Sequence, residues 1–204
     1  AVTVDHISNG RLELGLGCGY TEGEHSRFGI ELPAPGDRRR MFHEAVQIID
    51  SLFRNETTTF NGRYYQLNGA YVRPAPVQKP GPPFTIGAHK TRMLRICAEY
   101  ASAWNSSGSV EEMRERGDIL DTHCRDLGRD PSEIKHGWYG WASKMAAQGL
   151  PDPWDSIDAF HDVVGRYHDA GVNEFVIDQP RPEQFSVLEK VAADVIPKLR
   201  LGKT

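Results

Sequence analysis

Pro83-Phe84-Thr85-Ile86-Gly87-Ala88-His89-Lys90-Thr91-Arg92-Met93-Leu94-Arg95-Ile96-Cys97-Ala98-Glu99-Tyr100-Ala101-Ser102-Ala103-Trp104-Asn105 is the stretch whose reading decides the fold. The apolar run after Pro82-Pro83 ends at Gly87 and reads as a buried strand. Helical periodicity follows, with Leu94, Cys97, Ala98 and Ala101 on one stripe and Arg92, Arg95, Glu99 and Ser102 on the other face. Ala103-Trp104-Asn105 is a second short strand, closed by Ser106-Ser107-Gly108. Strand, helix and strand with connections this short form a βαβ unit, whose strands are parallel. The joint Gly87-Ala88-His89-Lys90-Thr91 is the candidate place for chemistry, because free N–H groups at a helix start attract an anion and Lys90 adds a charge. A plain tight turn with a solvated Lys90 is the other reading.

Toward the N-terminus, Leu12, Leu14 and Leu16 alternate with Glu13, Gly15 and Gly17, which predicts a strand with one tight, side-chain-free face. The loop Cys18 to His25 follows. Gly15-x-Gly17-x-Gly19 is not a dinucleotide fingerprint: the last glycine is misplaced, no helix opens at once, and acidic residues come next. After Pro33-Ala34-Pro35-Gly36, the stripe Phe42, Ala45, Val46, Ile49, Leu52 and Phe53 predicts a helix capped by Asp37, with Arg38 to Arg40 outward. Asn61-Gly62 between Thr57 to Phe60 and Arg63 to Leu67 predicts a hairpin with a type I′ turn. Five prolines between Val72 and Pro83 then force an extended connection.

Toward the C-terminus, a helix carrying Met113, Leu120, Cys124 and Leu127 precedes the aromatic strand His136 to Trp141. A helix with Ile157, Phe160, Val164 and Tyr167 inward stops at Gly171, before a last strand, Asn173 to Asp178. Leu188, Val191, Ala192 and Val195 stripe a terminal helix. Five strands alternating with helices predict a parallel sheet, either open and doubly wound or part of a (β/α)₈ barrel, which five units do not close.

A chain of 204 residues with formal net charge −4 has no basic run to hold nucleic acid and no apolar run near the roughly 20 residues that span a membrane. Cys18, Cys97 and Cys124 lack C-x-x-C spacing, and no HExxH occurs, so no disulfide framework or metal site is expected. The expected compartment is the cytoplasm.

Several stretches in order resemble the bacterial luciferase-like family of flavin- or deazaflavin-dependent oxidoreductases and monooxygenases. They are Val4 to Arg11, Leu14 to Tyr20, Glu24-His25 through Ile30, Thr59 to Tyr65, Lys79-Pro80 through Gly87, and Ala101 through Asn105. The resemblance implies the (β/α)₈ TIM-barrel fold, of which residues 1–204 hold about five C-terminal βα units as one domain, with residues 56–83 an inserted hairpin and proline-rich segment. On this reading Ala1 falls near the end of the third helix, and on the order of 100 residues of barrel lie outside the chain. It also implies a piece of a longer protein or a homo-oligomer that completes the sheet.

The family's chemistry sits at the C-terminal strand ends, which implies cofactor contacts from Cys18, Gly19, Gly87, Ala88, His89, Lys90 and Asn105, near Tyr20 and Ser106. The turn after the fifth barrel strand is commonly a run of glycines; here His89 and Lys90 replace them. The wording resembles the coenzyme F420 members more than those using FMN, with a small organic substrate. His25 and His89 are the candidates for moving a proton. Trp104 reads as barrel packing, with a cofactor contact as the alternative. A flavin-binding member without turnover and a structural partner subunit are the rival functions.

Overall fold

A computed structural model describes residues 1–200. A short helix α1 (Val2–Ile7) leads to strand β1 (Leu14–Leu16), then α2 (Glu22–Arg27) and α3 (Pro35–Arg54). Strands β2 (Thr58–Asn61) and β3 (Gln66–Ala70) form a separate antiparallel hairpin. The main sheet continues with β4 (Phe84–Gly87), α4 (Thr91–Tyr100), β5 (Ala103–Ser106), α5 (Val110–Asp126) and β6 (Lys135–Gly140). Helices α6 (Ala142–Ala147) and α7 (Ile157–His168) precede β7 (Glu174–Ile177). The described residues end in α8 (Phe185–Lys190), a wide π-type turn over Val191–Val195, and α9 (Ile196–Arg200).

The five strands predicted from sequence lie in the order β1-β4-β5-β6-β7, and every pairing is parallel. Consecutive strands are therefore neighbours, as in a barrel wall, and the doubly wound alternative, which needs a reversal of strand order, is excluded. The wall does not close among the described residues: β1 and β7 are its two edges.

The predicted stripe of α4 is the centre of the core, since Leu94, Cys97, Ala98 and Ala101 are fully buried against Ile86 and Trp104. Burying side chains of this kind contributes roughly 1.5–3 kcal/mol apiece for the larger ones, which is what keeps α4 on the sheet. In α5, Met113, Leu120 and Cys124 are buried, but Leu127 lies past the helix end and is exposed. Ser109 and Glu112 close its start with a reciprocal capping box. Trp154, Phe160, Val164, Val191 and Val195 make a second cluster under the C-terminal helices.

Three local expectations are corrected. Helix α3 begins at Pro35, not at an Asp37 cap, because proline's fixed φ suits the first helical position. Asp37 instead sits in the first turn, accepting from the Arg40 guanidinium at 2.6 Å and from the Tyr64 hydroxyl. The hairpin has no type I′ turn: neither Asn61 nor Gly62 has positive φ. The register Asn61↔Gln66 leaves a four-residue loop, whose Arg63, Tyr64 and Tyr65 N–H groups all donate to the Glu44 carboxylate of α3 at 2.8, 2.9 and 3.1 Å. Gly62 is there because of space, since a Cβ would run into that carboxylate and the Phe60 ring. Finally, the glycine face of β1 is not tight: nothing lies within 4 Å of a Cβ built on Gly15 or Gly17.

Candidate active site

The C-terminal ends of β1, β4, β5 and β6 converge on one cavity of about 1090 Å³. Cys18, Gly19 and Tyr20 come from the end of β1, Gly87 to Lys90 from β4, Asn105 and Ser106 from β5, and Tyr139 and Trp141 from β6. All the residues expected at the cofactor thus line one space, although they span 88 positions of sequence.

The β4–α4 turn is pinned from behind. Trp104 is 0% exposed and donates from Nε1 to the Ala88 carbonyl at 2.8 Å, while the Ala88 N–H donates to the Asn105 carbonyl at 3.1 Å. Trp104 is accordingly packing rather than lining. With Ala88 fixed, the N–H groups of His89, Lys90, Thr91 and Arg92 are left without protein acceptors among the described residues, at the start of a ten-residue helix. Such a start favours negative charge.

His89 also lines the cavity, with Nδ1 2.7 Å from the buried Ser106 hydroxyl. Desolvation by the wall holds its ring below the usual imidazole range, reinforced by the positive charges of Arg116, Lys144 and Lys90 and opposed by Glu112. His25, the other candidate, does not line the cavity. It lies on α2 with Nδ1 2.9 Å from the Thr21 carbonyl, its ring packed behind Gly19. That packing and a φ of +73° make position 19 a glycine site.

The sequence reading missed the cations from other elements. Arg38 and Arg39, expected to point outward, stand in the first turns of α3 and line the cavity together with Lys90, Arg92 and Lys144. Arg38 donates from Nη1 to the Gly19 carbonyl at 2.7 Å, and its Nε is buried with no partner. No aspartate or glutamate is among the lining residues. A chain of net charge −4 has therefore gathered five cations and no carboxylate around one cavity. Tyr139 and Trp141, which line the same cavity, pair at 4.4 Å between ring centroids, and Trp141 is 44% exposed. The bulk of that strand was visible in sequence; its place at the cavity was not.

Among the described residues no group of three histidine, cysteine or acidic side chains could hold a metal, and no helix is long and apolar enough to cross a membrane.

Comparison with known proteins bears on the fold and the family. The phthiodiolone/phenolphthiodiolone dimycocerosates ketoreductase of Mycobacterium kansasii is 30% identical over 206 residues, covering 90% of this chain and 54% of that protein. The chain spans about half the length of the curated relatives it matches. An F420-dependent secondary alcohol dehydrogenase in complex with an F420-acetone adduct superposes with a TM-score of 0.80 at 17% identity, covering 98% of this chain and 73% of that one. The coenzyme F420 dependent tetrahydromethanopterin reductase of Methanopyrus kandleri gives 0.77 at 18%, covering 96% and 76%. At such identities the agreement is one of fold, and it makes the open parallel wall a portion of a TIM barrel. The family model for luciferase-like monooxygenases matches residues 1–143, through β1, the β4–α4 turn and the end of β6, and the chain belongs to that family.

Proposed function

We propose that this chain carries the cofactor-binding wall of an oxidoreductase that uses coenzyme F420 or FMN on a small organic substrate. The observation that carries the reading is the cavity's charge: five cations, four free N–H groups and no carboxylate suit a ligand with a phosphate. The unpaired, buried Arg38 Nε fits the same demand, since a buried donor without an acceptor is costly until a ligand supplies one. A reduced deazaflavin or flavin, when bound, supplies the reducing equivalents. The protein's own part is positional. The α4 start and Lys90 hold the anion, Asn105 offers an amide to a polar ring edge, and the Tyr139–Trp141 pair covers an apolar flank and excludes water. Coenzyme F420 is favoured over FMN by the sequence resemblance.

The open sheet supports a second reading, binding without turnover by this chain alone. Among the described residues β1 and β7 each lack a strand partner on one side, and we propose that further strands, from a longer polypeptide or a second copy, complete the wall and the substrate side. Titrating the protein with reduced FMN and reduced F420, followed by fluorescence, tests the proposal; no binding of either removes it. Light scattering and turnover on the same sample separate the two readings, because a 22.9 kDa monomer that turns over substrate refutes the second.

A further inference from the structure

Ser106 is 1% exposed, and its Oγ has two hydrogen-bonding partners among the described residues: Nδ1 of His89 at 2.7 Å and Nη1 of Arg116 at 3.2 Å. A guanidinium only donates, so the Ser106 oxygen accepts from Arg116. A buried hydroxyl hydrogen needs an acceptor too, and Nδ1 of His89 is the one in reach. Nδ1 is therefore unprotonated, and a neutral ring carries its proton on Nε2. Nε2 makes no hydrogen bond to the protein among the described residues and is the nitrogen left for a ligand in the cavity.

We infer that Ser106, oriented by Arg116, locks His89 as a neutral imidazole protonated on Nε2, and that His89 is a fixed hydrogen-bond donor to an oxygen of the bound phosphorylated ligand, not a group that exchanges protons. The identity of that ligand rests on the function proposed above; the lock does not. Arg116 is itself held, donating to the Ser107 carbonyl at 2.7 Å and to the Glu112 carboxylate at 2.8 Å. A second proton on His89 would have to enter at Nδ1, turning the Ser106 hydroxyl hydrogen toward Arg116 donors, where no acceptor waits. The surrounding charges agree: Arg116 from α5, Lys144 from α6 and Lys90 from the turn all oppose an imidazolium, and only Glu112, already paired with Arg116, favours one. His89 thus presents a directed side-chain N–H at the cavity wall, beside the backbone donors of the turn.

Long-range proton–nitrogen correlation spectra of histidine-labelled, ligand-free protein read the tautomer directly, with His89→Gln identifying the signal. The expected result is an Nε2–H pattern at pH 7.5 that persists below the ordinary histidine midpoint of about 6.5. Ser106→Ala should mix the two tautomers and move protonation toward that ordinary value. An Nδ1–H pattern, protonation of the parent protein in the ordinary range, or a spectrum that Ser106→Ala leaves unchanged overturns the inference. For the ligand, His89→Gln keeps a donor near the Nε2 position and should bind FMN or F420 within about threefold of the parent, whereas His89→Phe should lose about tenfold, the scale of one hydrogen bond. Equal losses in both overturn the donor role. If the parent binds neither cofactor, the proposed function fails, and the spectra alone decide whether the lock exists.

Discussion

Replacing Trp104 by phenylalanine removes the one donor that the Ala88 carbonyl has among the described residues, while keeping an aromatic ring in the core. Ala88 is 2% exposed, so its carbonyl depends on that donor in the parent. Leaving a buried carbonyl unpaired costs about 1–3 kcal/mol. The smaller ring also gives up packing against α4 and the edge-on contact with His136 at 5.3 Å, for about another 1–2 kcal/mol. The expected loss is about 2–5 kcal/mol, within the roughly 5–15 kcal/mol that holds a domain together, so the variant should still fold. Urea denaturation measures it, and an unchanged m-value would show that the folded state stayed compact. The effect should reach the site as well, because Trp104 and the Asn105 carbonyl fix the turn whose residues line the cavity. Affinity for FMN or F420 should drop by about tenfold in the folded variant. A destabilisation under about 1 kcal/mol would refute the role given to the hydrogen bond; full destabilisation with unaltered affinity would refute its link to the turn.

The other predictions are shorter. Lys90→Ala should weaken a phosphorylated flavin by about 1–3 kcal/mol and riboflavin much less, measured by fluorescence titration; equal losses would mean that Lys90 does not meet the phosphate. Burial raises the Glu44 carboxyl, but the three hairpin N–H donors outweigh it and hold the group below its ordinary 4.5. Its contribution to stability is then present above pH 4.5 and lost as pH falls through the lowered value, so Glu44→Gln should flatten the acid limb of a Tm-against-pH curve. An acid limb as steep as the parent's would count against that account. Gly62→Ala should destabilise although its φ is ordinary for any residue, because the new methyl displaces the Glu44 carboxylate; an unaltered denaturation midpoint would disprove the crowding.

Much of the fold is legible in the sequence alone. The stripe of α4, the alternation in Leu12 to Leu16 and the apolar run Phe84 to Ile86 depend on local periodicity, and all three became core or wall. Parallel order followed from the short βαβ connections, and Gly87 to Lys90 stood out as a strand-to-helix joint; its place at the end of a barrel strand was what the family resemblance implied. Where residues contact only their sequence neighbours and a common core, pattern suffices.

What tertiary structure decided is who meets whom across elements. Arg38 and Arg39 read as outward on the α3 stripe, but both are half-buried and line the cavity, a neighbour that periodicity cannot express. Lys144 arrives from α6, a six-residue helix that buries only Met145, and α2 buries no residue at all, so neither leaves an apolar stripe to read. The Asn61-Gly62 turn obeyed Glu44, 17 positions away from Asn61, because three hydrogen bonds to a carboxylate outweigh a local φ preference. His25 and His89 looked alike as histidines in loops; only the fold turned one behind Gly19 and set the other against Ser106. Sequence determines the elements because helix and strand periods are local, whereas the charge of the cavity and the proton on His89 are sums over side chains that only folding brings together.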